Sequence, residues 1–251
     1  MENQTTTDID KKNETKIKKT RQRAHTILKT FYSDEVDILE IGVDEAGRGP
    51  LFGRVYTAAV ILPKDNSFDH FRMKDSKKFH SKKQIQEVAE YIKENATAWY
   101  VSFEDEKTVD QINILQATQK AMHHAILETR DQCKKKKSCD ARFHLLIDGN
   151  YFNPLTVFNK QSNKIEIMPY SCIEGGDNKY TAIAAASILA KVERDKYIQE
   201  LCEENPELIE KYGIDQNKGY GAKRHLDGIR QHGITIWHRR SFGICSTFGK
   251  G

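Results

Sequence analysis

Residues 181–190, TAIAAASILA, constrain the fold more than any other stretch. They open a helix expected from about 179 to 204, and this first half is small and apolar nearly all round, so no face of it suits water. Such a helix has to be deeply packed. The layers around it are suggested by the remaining periodicity. In VDILEIGVD (36–44), Leu39, Ile41 and Val43 alternate with Glu40, Gly42 and Asp44, the pattern of a strand. RVYTAAVIL (54–62), TAWYVSF (97–103), RFHLLID (142–148) and IEIMPYSCIE (165–174) read as further strands, with Pro169 marking an edge position or a bulge in the last. Ser81 with Gln84 forms a capping box ahead of Ile85, Val88, Ala89 and Ile92 at helical spacing. A second helix places Ile112, Leu115, Met122 and Ile126 on one side. The order predicts an α/β fold with a mixed sheet, antiparallel at first and parallel later.

The N-terminal residues, 1 to about 33, are polar, Lys/Thr-rich and aperiodic, and are expected to form a basic, disordered or loosely attached tail. Net charge is +4, yet residues 1–30 carry +4 and residues 218–240 carry +5, leaving about −5 for the rest. A neutral-to-acidic body with basic ends suits local contacts to a polyanion. No apolar run approaches the ~20 residues that span a bilayer, and the N-terminus has no secretory h-region. Five cysteines without a C-x-x-C pair fit free thiols in a reducing cytoplasm better than disulfides or a zinc site.

Acidic residues gather where strands end. Asp44 and Glu45 close the first strand and are followed by Gly47, Arg48, Gly49 and Pro50; Asp148-Gly149-Asn150 closes the fourth; Asp177 sits in Gly175-Gly176-Asp177-Asn178 at the mouth of the small-residue helix. Ligands of open α/β sheets collect at the carboxyl ends of strands. Neighbouring strand residues face opposite ways, so Asp44 and Glu45 converge only if the backbone turns there, which the glycines permit. Four carboxylates in one pocket raise one another's pKa values unless a cation neutralises them, and all-oxygen ligation points to Mg²⁺ or Mn²⁺. Two such ions roughly 3.5–4 Å apart suit phosphodiester hydrolysis. A dinucleotide-binding reading of GRGPLFG would set a pyrophosphate against two carboxylates with no helix opening at Gly49. Taken singly, Asp148 and Asp177 would be turn residues; their combination with Asp44 and Glu45 changes the balance.

VDEAGRGP (43–50), DSKKF (75–79), INILQAT (112–118), LLIDGN (145–150), GGDNKYTAIAAASILAKVERD (175–195), NKGY (217–220) and HRRSFG (238–243) together resemble the ribonuclease HII family in order and spacing, from about 36 to 245. The resemblance implies a ribonuclease H-like mixed five-stranded sheet flanked by helices over 34–205, and a C-terminal helical extension over 206–251 completing the substrate site. It implies that Asp44, Glu45, Asp148 and Asp177 are the catalytic, metal-holding acids. It also implies hydrolysis of RNA in RNA–DNA hybrids and incision of duplex DNA 5′ of an embedded ribonucleotide, leaving 5′-phosphate and 3′-hydroxyl ends. Gly47, Arg48 and Gly49 match the loop that senses the ribose 2′-hydroxyl, and Tyr220 a tyrosine that packs on the sugar at the DNA side of the junction. Lys77, Asn113, Gln116, Ser187 and Lys191 match positions near the nucleic-acid backbone. Asp195 is read as the structural partner of a nearby Arg, and His123 and His124 as structural or surface residues.

The chain departs from the family pattern at Gly175, where Lys is usual, at Asn217, where His is usual, and in the 29-position step from Asp148 to Asp177, where FNKQSNK (158–164) is expected to form an extra loop. A hybrid-binding module without activity is disfavoured, because a binder has no need to concentrate negative charge against phosphates. A ribonuclease HIII-like protein would need an N-terminal substrate-binding domain, for which the tail is too short and polar. A subunit of a larger assembly is the further alternative; the expectation is a monomer acting on hybrid or ribonucleotide-containing duplexes, without a membrane.

Overall fold

The computed structural model describes residues 27–137, 142–159 and 162–248. The expected tail up to residue 26 lies outside them. Strands β1 (Ile38–Ala46), β2 (Val55–Ile61), β3 (Ala98–Glu104), β4 (Arg142–Asp148) and β7 (Tyr170–Ile173) form one sheet in the order β3-β2-β1-β4-β7, while β5 (Thr156–Asn159) pairs with β6 (Lys164–Ile167). The β1–β2 and β2–β3 pairs are antiparallel, and β1–β4 and β4–β7 parallel, the mixed sheet that the sequence predicts.

Alternation along β1 divides two cores. Leu39, Ile41 and Val43, with Ala59, Ile61, Leu145 and Ile147, face Met122, Ala125 and Ile126 of α2 (Glu106–Lys137). Ala58 and Val60 face the other way, toward Ala89 and Ile92 of α1 (Lys82–Asn95) and Ala182 to Ala190 of α3 (Thr181–Glu204). The small residues of α3 have a specific cause: a Cβ on Gly42 would lie 2.2 Å from the Ala182 carbonyl carbon. The helix backbone rides directly on β1 there, which fixes the height of its N-terminus over the sheet. The charged half of α3 turns Ile198, Leu201 and Cys202 toward a third core with Phe52, Leu208 and Tyr212 of α4 (Glu207–Tyr212), Ile214 of α5 (Ile214–Asn217) and Ile229 of α6 (Lys223–His232). The C-terminal segment is thereby joined to the loop that follows β1.

Three expectations are corrected. Residues 165–174 are two strands, because Pro169 has no N–H for the ladder: β6 leaves the main sheet and β7 occupies its edge. Of the extra loop expected at 158–164, Phe158 and Asn159 end β5 and pair with Ile165 and Lys164 of β6, while residues 160 and 161 lie outside the described residues. Ile112 is exposed, because α2 is broken at Asn113 (φ 66°, ψ 163°), which puts it out of phase with buried Met122 and Ile126. The capping box holds at its serine, whose Oγ accepts from Gln84 N at 3.1 Å.

Residues 27–33, read with the tail, are tied to the body. Lys29 exchanges backbone hydrogen bonds with Lys179 and Thr181, and the N–H groups of Tyr32 and Ser33 donate to the Glu40 carboxylate, which also pairs with Lys64 at 3.1 Å. Glu40 is thus a buried strand carboxylate with its charge and lone pairs satisfied.

Candidate active site

Parallel pairing sets the first and third acids side by side. Val43 is opposite Ile147, so Asp44 and Asp148 are the next residues along adjacent strands, both on the face covered by α3. The backbone does not turn at the acid pair, as the sequence reading required: β1 continues paired with β2 through Ala46, and the turn comes at Gly47 (φ 95°). Glu45, on the opposite pleat, nevertheless comes within electrostatic reach of Asp148 at the open end of the strand. Its N–H donates to Asp44 Oδ1 at 2.7 Å.

The third and fourth acids are joined by a backbone amide. A turn over Gly176–Asn178 leads into α3, and Gly176 N donates to Asp148 Oδ1 at 2.6 Å. Asp177 follows directly, buried, with its Oδ1 accepting from Asn178 Nδ2 at 3.0 Å. Asn178 also donates to Asp75 and accepts from Lys78, which links this turn to the DSKKF segment.

The electrostatics record the crowding. Burial first, then the charges of Glu45 and Asp148, hold the Asp44 carboxyl well above the usual carboxylate range. Burial also raises Glu45, against the pull of Arg48. Asp148 is raised by burial and by Asp177, opposed by the amide of Gly176. These acids form a continuous chain of mutually repelling oxygens, with no imidazole or thiol among them. That donor set fits a hard divalent cation such as Mg²⁺ or Mn²⁺, which would relieve the repulsion. Among the described residues no three Asp, Glu, His or Cys side chains are placed so that together they could hold a metal ion. An open set of carboxylates is the kind of site in which water and phosphate oxygens complete the shell.

The other expected residues fall into groups. Arg48 pairs with Glu45 at 3.3 Å, and the charge of Lys77 acts on Glu45. Ser187 is buried, its hydroxyl bonding to Asp44 and lying 3.1 Å from Ser76 Oγ, so it braces an acid from below. Gly49 faces Tyr220: a Cβ at 49 would lie 3.6 Å from Tyr220 Cε1, and Tyr220 is half exposed. Asn113 caps the second part of α2 through Gln116 N, and Gln116 meets Asn153 beyond β4. No hydrogen bond or ion pair joins Asn113, Gln116, Lys191 or Tyr220 to the four acids among the described residues. Lys191 pairs with Asp195 one turn on, so the partner of Asp195 is a lysine and not the expected arginine. His123 bonds to Asn153 O and His124 to Ser102, both away from the acids.

Two residues that hold this site escaped the sequence reading. Arg239, fully buried, donates to the carbonyls of Gly47 (2.6 Å), Arg48 (3.0 Å), Pro50 (2.9 Å) and Gly53 (2.9 Å). Arg194 donates to Lys218 O at 2.9 Å and, more weakly, to Arg54 O and Phe52 O. Burial and the charge of Arg194 pull Arg239 down to about 10, which leaves it protonated at neutral pH. A Cβ on Gly47 would lie 2.2 Å from Arg194 Nε, so this glycine is needed for the approach as well as for its positive φ. The only cue in the sequence was arginine within VERD and HRRSFG.

Comparison with known proteins agrees with this architecture. A family model described as Ribonuclease HII matches residues 41–245. A ribonuclease HII of Bacteroides thetaiotaomicron is 43% identical over 208 residues, spanning 83% of this chain and 91% of that protein. Among solved structures, ribonuclease H2 from Pyrococcus horikoshii OT3 superposes with a TM-score of 0.62 at 20% identity, covering 84% of this chain and 97% of the other. Bst-RNase HIII in complex with Mn²⁺ does so with a TM-score of 0.61 at 17% identity, covering 85% and 71%. These two likenesses concern the fold, a ribonuclease H-type sheet with flanking helices.

Proposed function

This chain belongs to the ribonuclease HII family and is a ribonuclease H enzyme, and from that premise we propose that it cuts RNA paired to DNA, and duplex DNA 5′ of a single ribonucleotide, with two divalent ions. The observation that carries the reading is the chain of acids from Asp44 through Glu45 and Asp148 to Asp177 at the carboxyl ends of two adjacent parallel strands. Mg²⁺ or Mn²⁺ held there would activate a water and stabilise the leaving 3′-oxygen, giving 5′-phosphate and 3′-hydroxyl ends.

The chain's own residues do the rest. The Gly176 amide fixes the Asp148 carboxylate, and Ser187 fixes Asp44, so the oxygens are oriented before substrate arrives. Gly47, Arg48 and Gly49, whose carbonyls or neighbouring carbonyls are held by Arg239, present backbone that a ribose can approach closely, and a 2′-hydroxyl is what separates RNA from DNA at one nucleotide. Tyr220, across from Gly49, offers a ring face for the neighbouring sugar. Lys77, Lys191, Asn113 and Gln116 are assigned to the nucleic-acid backbone. Action in a reducing cytoplasm, as a monomer, belongs to the same proposal. No helix among the described residues is long and apolar enough to cross a membrane.

The test is incubation with an end-labelled duplex bearing one ribonucleotide, beside an all-DNA duplex and a continuous RNA–DNA hybrid. Cleavage 5′ of the ribonucleotide in Mg²⁺ or Mn²⁺, and none in EDTA, is expected; cleavage that persists in EDTA would remove the metal mechanism. Gly49→Val probes the ribose reading with little structural disturbance, since a Cβ there meets only Tyr220 within 4 Å. It is expected to narrow the rate ratio of ribo- over deoxyribonucleotide substrates by about tenfold or more, the scale of one lost polar recognition contact, while the melting temperature stays near that of the parent. An unchanged ratio would take Gly49 out of the sensing loop.

A further inference from the structure

Tyr220 stands on a loop whose restraint is unusual. Lys218 (φ 53°) and Gly219 (φ 83°) are both left-handed, and Asn217 closes this turn by accepting from Gly219 N at 2.8 Å and donating to Tyr212 O at 2.7 Å. On the far side of Tyr220 its carbonyl lies 2.9 Å from Nδ1 of His225, a ring with no exposure to solvent. His225 Nε2 in turn lies 3.1 Å from Nε2 of His238, which is equally buried, and His238 Nδ1 receives the Thr235 backbone N–H at 2.9 Å.

At each end of this chain a backbone group faces a ring nitrogen and places the protons, and the Thr235 hydroxyl, also 2.9 Å from His238 Nδ1, can donate to it beside the amide. A carbonyl only accepts, so His225 carries its proton on Nδ1; an amide only donates, so His238 Nδ1 is bare and its proton sits on Nε2. The central contact is then a single N–H donated by His238 to His225. A proton added to either ring would set two N–H groups against each other. Phe52 and Tyr212 close around the pair edge-on, with His238 5.0 and 5.2 Å from their centroids, and the Tyr212 hydroxyl is turned away to Gly233 O. The neighbouring Arg239 points its guanidinium into the loop after β1. Burial accordingly holds both imidazoles below the ordinary histidine range.

We propose that His225 and His238 form a buried neutral imidazole relay that positions Tyr220, making them specificity-positioning residues for the sugar beside the cleaved bond. The relay links the Thr235 backbone to the Tyr220 carbonyl through two rigid rings, so the tyrosine is held at a fixed height opposite Gly49 even though its ring is open to solvent. This rests on the reading of Tyr220 as a sugar contact. Neither histidine touches substrate, and both act through that loop.

The test uses the full chain, kinetics on the single-ribonucleotide duplex, and imidazole ¹⁵N spectra. His238→Phe keeps the volume and removes the relay; it is expected to raise KM about tenfold with kcat nearly unchanged, the pattern of a lost binding contact. His238→Gln, which keeps a donor toward His225, is expected to restore most of that loss. In a Tyr220→Ala background the His238→Phe penalty should vanish, as coupled residues require. A penalty of the same size in that background, or none in the parent, overturns the relay. Tyr220→Ala with unaltered KM overturns the reading beneath it. The spectra need no variant to fold: they should show His225 as the Nδ1–H tautomer, His238 as the Nε2–H tautomer, and a coupling across the Nε2 pair. Opposite tautomers or a charged ring at neutral pH would overturn the relay while leaving the sugar contact standing.

Discussion

Asp44→Asn is expected to lower the cleavage rate by roughly 10³-fold or more, about 4 kcal/mol of transition-state stabilisation, while the protein becomes no less stable. The two halves have one cause. Asp44 is buried beside Glu45 and Asp148, and these neighbours with burial already strain its ionised form. Asparagine keeps the shape and the oxygen that accepts from Glu45 N, and it removes the charge. The fold loses a repulsion; the proposed metal site would lose an anionic ligand. Binding of a hybrid duplex should survive or tighten, since less negative charge faces the phosphates. Rates from single-turnover cleavage, affinity from fluorescence anisotropy in Ca²⁺ and a thermal melt check all three. A variant that still cuts within tenfold of the parent would show that Asp44 is not a ligand.

Arg239→Met is expected to damage stability and activity together. The guanidinium satisfies four carbonyls of the loop after β1, none of which regains a partner from a thioether. Relief of burying a charge offsets part of the loss, so a net cost of about 3 kcal/mol is expected, a fall in melting temperature on the order of 6–12 °C. The KM for the ribonucleotide duplex should rise in the same variant, because those carbonyls carry Gly47, Arg48 and Pro50. Arg239→Lys keeps the charge but lacks the planar fork, and should fall between the two. Calorimetry with steady-state kinetics checks this; a melting temperature within 2 °C of the parent, where about 6 °C or more is expected, would mean that water replaces the fork without loss.

The two predictions differ in how legible their residues were. Asp44 could be found in the sequence because a strand announces its own end: the alternation of Leu39, Ile41 and Val43 stops at two acids and a glycine. Arg239 could not. Its neighbours in the chain, His238 and Arg240, have other fates, one in a buried imidazole pair and one with its amide on Asp110. Nothing local distinguishes an arginine that forks four distant carbonyls from one that faces water. Ser187 is a similar case, matched to the substrate but packed against Asp44. Asp195 found a lysine four residues away where an arginine was expected, since both lie within reach on a helix.

Among the secondary elements, errors fell where tertiary demands overrode periodicity. Ile112 fits the helical spacing of Met122 and Ile126, but the left-handed Asn113 intervenes and rotates it outward. Pro169 was recognised as an interruption; that its two flanks join different sheets depends on partners far along the chain.

The amino-acid order by itself determined the alternation that builds β1, the all-round apolar half of α3, the capped start of α1 and the four acids at chain positions where elements end. Each of these follows from the backbone's own repeat and from the chemistry of a single side chain. The tertiary structure alone decided that Asp44 and Asp148 stand side by side, that Asp177 joins them through the Gly176 amide, and that two buried arginines and two histidines hold the surrounding loops. Those outcomes rest on strand register and on contacts between segments up to about 190 residues apart, and no local pattern encodes which distant carbonyl a donor will meet.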